Sequence, residues 1–190
     1  MAAEICLDVA LVHYPVLNRN KEIIGSAVTN LDLHDIARAG RTFGIRTYWV
    51  VTPYSRQQEL AAEITGHWTA GYGGMVNPGR ADALSLVRIQ TDLAGVIAAI
   101  TEEDNSPPLV VATSADRKEN TVSYAWLQHE LRWGRSVLLL FGTAWGLAPE
   151  LMEKVNAVLP SINGPGEFNH LSVRSAVSII LDRLLGDREL

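Results

Sequence analysis

The chain has 190 residues, 47% hydrophobic and 19% charged, with a formal net charge of −5 at pH 7. That length suits one domain with a substantial core, and the acidic balance argues against a protein that coats nucleic acid nonspecifically. No apolar run approaches the roughly eighteen residues a membrane span needs, and no basic-then-apolar leader opens the chain. The single cysteine, Cys6, excludes an intrachain disulfide, so a cytoplasmic protein is expected.

Ile5 to His13 alternates and then runs apolar, as a strand entering a core does. After a polar turn at 18–21, Ile23 to Val28 is extended. Thr29 or Asn30 caps a helix that places Leu33, Ile36, Ala37, Gly40 and Phe43 on one face. His34, Arg38 and Arg41 share another face, and Gly44 ends the helix. Ile45 to Val51 is a second strand, and Ser55 to Ile64 a helix. Gly66 to Gly79, rich in glycine, predicts a long loop of the kind that often carries function. A short helix at 81–87, a weak strand at Leu86–Gln90 and a helix from Asp92 to Ile100 follow. Leu109 to Thr113 is a short buried strand, and Ser114 to Asn120 a polar, mobile loop. Thr121 caps a helix to Trp133. Val137 to Phe141 is a buried strand breaking into Gly142-Thr143-Ala144-Trp145-Gly146-Leu147. A second apolar run, Ala157 to Pro160, leads to the glycine-rich stretch 161–170, and the chain closes on a helix ending near Leu185.

Strands and helices alternate, so the fold class is α/β, one domain over 1–190, its sheet mainly parallel and covered on both faces. Two glycine turns after two late strands suit close backbone approach to a small molecule at the strands' carboxyl ends. There is no G-x-G-x-x-G after the first strand, no G-x-x-x-x-G-K-[ST] and no G-x-S-x-G. The five histidines show no ligand spacing, so no metal is expected.

Leu139 to Leu147, and Phe168-Asn169-His170-Leu171-Ser172-Val173-Arg174-Ser175-Ala176 running on to Leu181, resemble the last two motifs of the SPOUT RNA methyltransferases. Asp32 to Ile45 resembles their first motif, an acidic or amide residue followed six positions later by arginine. His13-Tyr14-Pro15-Val16, the run Thr29 to Arg38 and the run Asn169 to Ser175 are similar to strings of one bacterial family within that superfamily, the S-adenosylmethionine-dependent RNA methyltransferases. The likeness covers nearly the whole chain, with several strings agreeing in order.

The resemblance implies a C-terminal deep trefoil knot over roughly residues 109–186, a class of topology almost absent from other proteins. It implies S-adenosyl-L-methionine as cofactor, an RNA substrate (tRNA or rRNA) and a homodimer. Three loops, 113–115, 142–147 and 159–173, would hold the cofactor. The resemblance assigns to it Thr113 and Ser114, then Phe141, Gly142, Thr143, Gly146 and Leu147. Ile162, Gly164, Asn169, Leu171, Ser172 and Val173 complete the set. Phe141, Leu147, Ile162 and Leu171 would form the adenine slot, with Gly142, Gly146 and Gly164 admitting the backbone. Arg38 matches the superfamily arginine that binds or activates the acceptor. Asp32 is either the base or a helix-start carboxylate, and His170 either a base or a structural hydrogen-bonding group.

Two departures bear on the acceptor. Thr143-Ala144-Trp145 stands where the ribose 2′-O enzymes carry a glutamate, and His170-Leu171-Ser172 replaces their Ser-Leu-Asn. Asn169-His170 resembles instead the Asn-His of the tRNA guanine-N1 methyltransferases. Methyl transfer to a ribose oxygen or a base nitrogen therefore stands beside two alternatives. One is a knotted protein that binds S-adenosylmethionine or RNA without turnover, and the other is a metabolic enzyme with a different adenine ligand.

Overall fold

The computed structural model describes residues 5–116 and 120–187. Residues 117–119, part of the loop expected after the Leu109 strand, and the two ends lie outside the described residues.

The main sheet has six strands: β1 (Leu7–Val12), β4 (Thr47–Val51), β5 (Val87–Gln90), β6 (Leu109–Ala112), β7 (Val137–Gly142) and β8 (Ala157–Val158). Their spatial order is β5-β4-β1-β7-β6-β8, and every pair is parallel. β1 is buried along its whole length between β4 and β7, with Val9 opposite Tyr48 on one side and Leu139 on the other. Burial on both faces explains why β1 and β7 read as continuous apolar runs. A small antiparallel pair, β2 (Val16–Leu17) and β3 (Ile23–Ile24), follows β1.

Eight helices are described: α1 (Asn30–Phe43), α2 (Ser55–Thr69), α3 (Tyr72–Val76), α4 (Pro78–Leu84), α5 (Leu93–Asp104), α6 (Tyr124–Arg132), α7 (Pro149–Met152) and α8 (Val173–Leu185). Leu7, Val9 and Leu11 of β1 face a core shared with α1, α4, α6 and α8. Ala10 and Val12 face a second core shared with α5 and α7. Alternation along one strand thus builds three layers.

The expected loop at 66–79 is instead the end of α2, all of α3 and the start of α4. Gly73 and Gly74 let α3 pack tightly on α2: a Cβ on Gly73 would meet the rings of His67 and Trp68, and one on Gly74 the Trp68 carbonyl. Pro78 stands in the first turn of α4, capped by Asn77, whose side chain accepts from Arg80 N. Thr29 caps α1 as expected and Asp92 caps α5, whereas Ser123 rather than Thr121 caps α6.

At the amino ends of the strands Asp8 is fully buried. Arg46 joins it to Asp104, with Nη1 of Arg46 2.6 Å from Asp104 Oδ1 and Nε 3.1 Å from Asp8 Oδ2. This end therefore closes the sheet with an ion network, and the opposite end is where the chain leaves space. No described helix is long and apolar enough to cross a membrane.

Candidate active site

The strand order reverses at β1 and β7: the chain moves outward through β4 and β5, then returns to the other side. Open α/β sheets bind ligands outside the carboxyl ends of strands at such a point. A cavity of about 1100 Å³ lies there. It is bordered by the segments after β6 and β7, by residues 160–174 and by the amino ends of α1 and α8.

Each border is locally determined. After β7, Gly146 takes φ +101°, which a side chain disfavours, and Gly142 closes the same turn: its Cβ would lie 2.7 Å from Leu147 N. Trp145 N and Gly146 O bond to Leu17 O and N, tying the turn to β2. After β6, Thr113 bonds Leu140 O through both its N and its Oγ1, at 3.0 and 2.9 Å. Asn169 Nδ2 donates to Ala115 O at 2.9 Å, joining that segment to the one before α8. Ser172 caps α8, accepting from Ser175 N.

At the other side Thr29 Oγ1 accepts from Asp32 N and donates to Asp32 Oδ2, at 3.1 and 2.6 Å. The second oxygen of Asp32 accepts from Arg174 Nη1 at 3.3 Å, while Arg174 Nε lies 3.4 Å from Asp35. Asp32 is only 8% exposed. Ser26 links the cavity to the buried His13, with Nδ1 to Oγ at 2.9 Å, and also meets Thr143. Burial lowers the His13 pKa to about 4, against the opposing pull of Asp32, so the ring is neutral at pH 7.

Thirteen of the expected residues border the cavity. They are Thr113, Ser114, Phe141, Gly142, Thr143 and Gly146 from the first two loops, and Ile162, Asn169, Leu171, Ser172 and Val173 from the third, with Asp32 and His170. Three do not. Leu147 is buried in the core shared with α7, because the tight Gly142–Gly146 turn directs it under the sheet's other face. Gly164 is exposed, with open space where a Cβ would be. Arg38 lies in a neighbouring shallow groove between α1 and α8, alongside Asp35 and Arg174. Ser26, Thr29 and Arg174 were missed. Ser26 lies in a segment with no motif, and Arg174 lies inside a motif whose other residues carry the cofactor signature.

The cavity has an apolar part, made by Phe141, Pro160, Ile162, Ala176 and Ile180, and a polar part with Ser26, Thr143 and Asp32. Its size and mixed lining suit a nucleoside carrying a polar tail. The residues present thus fit S-adenosylmethionine: the apolar residues can take the adenine and the polar ones the cationic part of the methionine portion.

Parallel topology, a switch-point cavity and this lining define an α/β protein built to hold a nucleoside-type ligand. The chain belongs to the SAM-dependent RNA methyltransferase family, whose model matches residues 6–186. It is 43% identical over 178 residues to a tRNA (guanine-N(1)-)-methyltransferase of Oleidesulfovibrio alaskensis, covering 94% of this chain and 41% of that protein. The chain thus spans about two fifths of that relative's length. It is 41% identical to an uncharacterised protein of Aquifex aeolicus, over 93% of this chain and 86% of the other. The crystal structure of the Aquifex aeolicus TrmH/SpoU tRNA modifying enzyme superposes with a TM-score of 0.57 at 17% identity, covering 99% of this chain and 78% of that one. That likeness shows a shared fold.

Proposed function

We propose that this chain transfers a methyl group from S-adenosylmethionine to tRNA, and that the acceptor is a base nitrogen. The observation that carries the reading is the cavity at the carboxyl ends of β1, β6 and β7. It combines an apolar nucleoside slot with two proton acceptors, Asp32 and His170, on its wall. S-adenosylmethionine supplies there a methyl group on a sulfonium, and the chain supplies position and removal of the acceptor's proton. Asp32 is fixed by Thr29 and Arg174, whereas His170 is exposed and packs edge-on against Phe168.

Around the cavity Trp145 and Phe168 are 63% and 80% exposed. Flat exposed rings of this kind stack on an unstacked base. The groove holding Arg38 and Arg174 adjoins the cavity through Arg174 and offers the exposed guanidinium fork of Arg38 for phosphate. No glutamate borders the cavity among the described residues, and His170 replaces the serine of the ribose enzymes, which favours a base over a ribose oxygen. The tRNA named for the Oleidesulfovibrio relative supports tRNA as the substrate class. A second copy of the chain completes the RNA-binding face in this reading, as the superfamily's dimers do.

The test is tritiated methyl transfer to RNA from a strain deleted for the gene, with the product nucleoside identified. A base-methylated nucleoside from tRNA is expected. A 2′-O-methyl product would move the acceptor to ribose, and binding of S-adenosylmethionine without transfer would favour the non-catalytic alternative.

A further inference from the structure

Ser26, His13 and Thr143 form a line of hydrogen bonds whose direction can be counted. Thr143 Oγ1 donates to the Val12 carbonyl at 3.1 Å. Having one proton, it accepts from Ser26 Oγ, 2.5 Å away. Ser26 has then used its own proton and accepts from His13 Nδ1 at 2.9 Å. His13 therefore carries its proton on Nδ1 and a bare lone pair on Nε2, a buried atom with no partner. The reverse direction through Nδ1 would bury an N–H without an acceptor and take the Thr143 proton from the Val12 carbonyl, while Ser26 donation to the His13 carbonyl, 3.5 Å away, is the weaker contact. Orphaned buried N–H groups are the rarer of the two.

The consequence lies in the cavity, which Ser26 and Thr143 both border. Each oxygen retains a lone pair and has no proton left to offer. The Asp32 carboxylate borders the same space, and Arg174 is already engaged with Asp32 and Asp35. This part of the cavity presents acceptors and negative charge, so it suits a cation and disfavours a group that is itself an acceptor.

We infer that Ser26 and Thr143 recognise the sulfonium end of S-adenosylmethionine, with the Val12 carbonyl, which takes the Thr143 proton, setting their direction. The inference rests on the cofactor reading of the cavity. Methyl transfer turns the sulfonium into a neutral thioether, so an acceptor pair at that point holds the charged cofactor and releases the spent one. The two hydroxyls thus discriminate cofactor from product by charge, at a site where the adenosine and amino-acid parts are identical.

Calorimetric titration with S-adenosylmethionine and with S-adenosylhomocysteine tests this, because the two differ only in the methyl group and its charge. Ser26→Ala is expected to weaken S-adenosylmethionine about tenfold and to leave S-adenosylhomocysteine within about twofold. Ser26→Thr, which keeps the hydroxyl, restores the preference. Thr143→Val removes the second acceptor and the partner that holds the Ser26 proton, so that proton is free to turn toward the cavity and the preference falls. In each variant the retained affinity for S-adenosylhomocysteine reports an intact cavity. An unchanged preference in Ser26→Ala overturns the inference. An equal loss for both compounds also overturns it, and moves the pair to the ammonium that both share. If the wild-type chain binds neither compound, the cofactor reading itself fails.

Discussion

Arg174 Nη1 lies 3.3 Å from Asp32 Oδ1, so an ion pair joins the first turn of α8 to the first turn of α1 beside the cavity. A cation in a helix's first turn opposes the helix dipole, whereas a carboxylate there is favoured. Arg174 is therefore placed against its own helix's preference and held by carboxylates of another. Such a locally unfavoured charge on a cavity wall points to a role in the site.

Arg174→Ala is expected to reduce methyl transfer by about tenfold or more while S-adenosylmethionine affinity stays within a few-fold, because a guanidinium that orients RNA contributes to positioning. Arg38→Ala, from the adjoining groove, is expected to raise KM for RNA more than it lowers kcat. Arg38→Lys keeps the charge but loses the fork, and should behave nearly as Ala. Steady-state kinetics with the tRNA substrate separates these outcomes, and wild-type rates for Arg174→Ala would remove that residue from the site.

The two glycine turns differ in what they tolerate. A Cβ on Gly142 would meet the backbone of Gly146 and Leu147, so Gly142→Val is expected to open the turn and abolish cofactor binding. Gly164 has open space around it, and Gly164→Val should bind as wild type does. Calorimetry on both, with circular dichroism to confirm folding, checks the contrast.

Removing Arg46 strands a buried carboxylate. Burial raises the Asp8 pKa despite Arg46, while the Arg46 hydrogen bond holds Asp104 below its ordinary value. The stability from Asp104 is present above its unfolded pKa and is lost as pH falls through the folded one; for Asp8 the sign is opposite, since acid relieves its cost. Arg46→Ala is expected to cost about 3–5 kcal/mol at pH 7, with a smaller loss near pH 4 as Asp8 takes up a proton. Urea unfolding at the two pH values measures this.

His13 also leaves a pH signature. Its folded pKa is about 4 against 6.5 unfolded, so the unfolded chain binds the extra proton between those values and stability falls as pH drops through that window. One such group contributes a slope of about 1.4 kcal/mol per pH unit. His13→Asn cannot take up that proton, and its stability between pH 4 and 6.5 should be flatter by about that amount. Parallel slopes for the two proteins would place the shift elsewhere.

A dimer is expected at micromolar concentration, and sedimentation yielding a 20.8 kDa species would overturn it. Most of the apolar face of α8 is used inside the chain itself. Val177, Ile180, Leu181 and Leu184 are buried within the chain's own core, and of that helix's apolar residues Ile179 lines the outer groove.

The sequence by itself determined the α/β class, the parallel sheet, most element positions and the loops that meet at the cavity. Those signals are local: apolar period, caps such as Thr29 and Asp92, and glycines after strands. It also carried the family, because several short strings agree in order along the chain. Tertiary structure alone decided three things. It made helix of residues 66–79, since the same glycines that break a helix in isolation allow close packing on His67 and Trp68. It turned Leu147 into core and left Gly164 outside, because the direction of a residue in a turn depends on the whole turn. And it joined His13, Ser26 and Thr143, 13 and 117 positions apart, through hydrogen bonds that no spacing in the sequence announces.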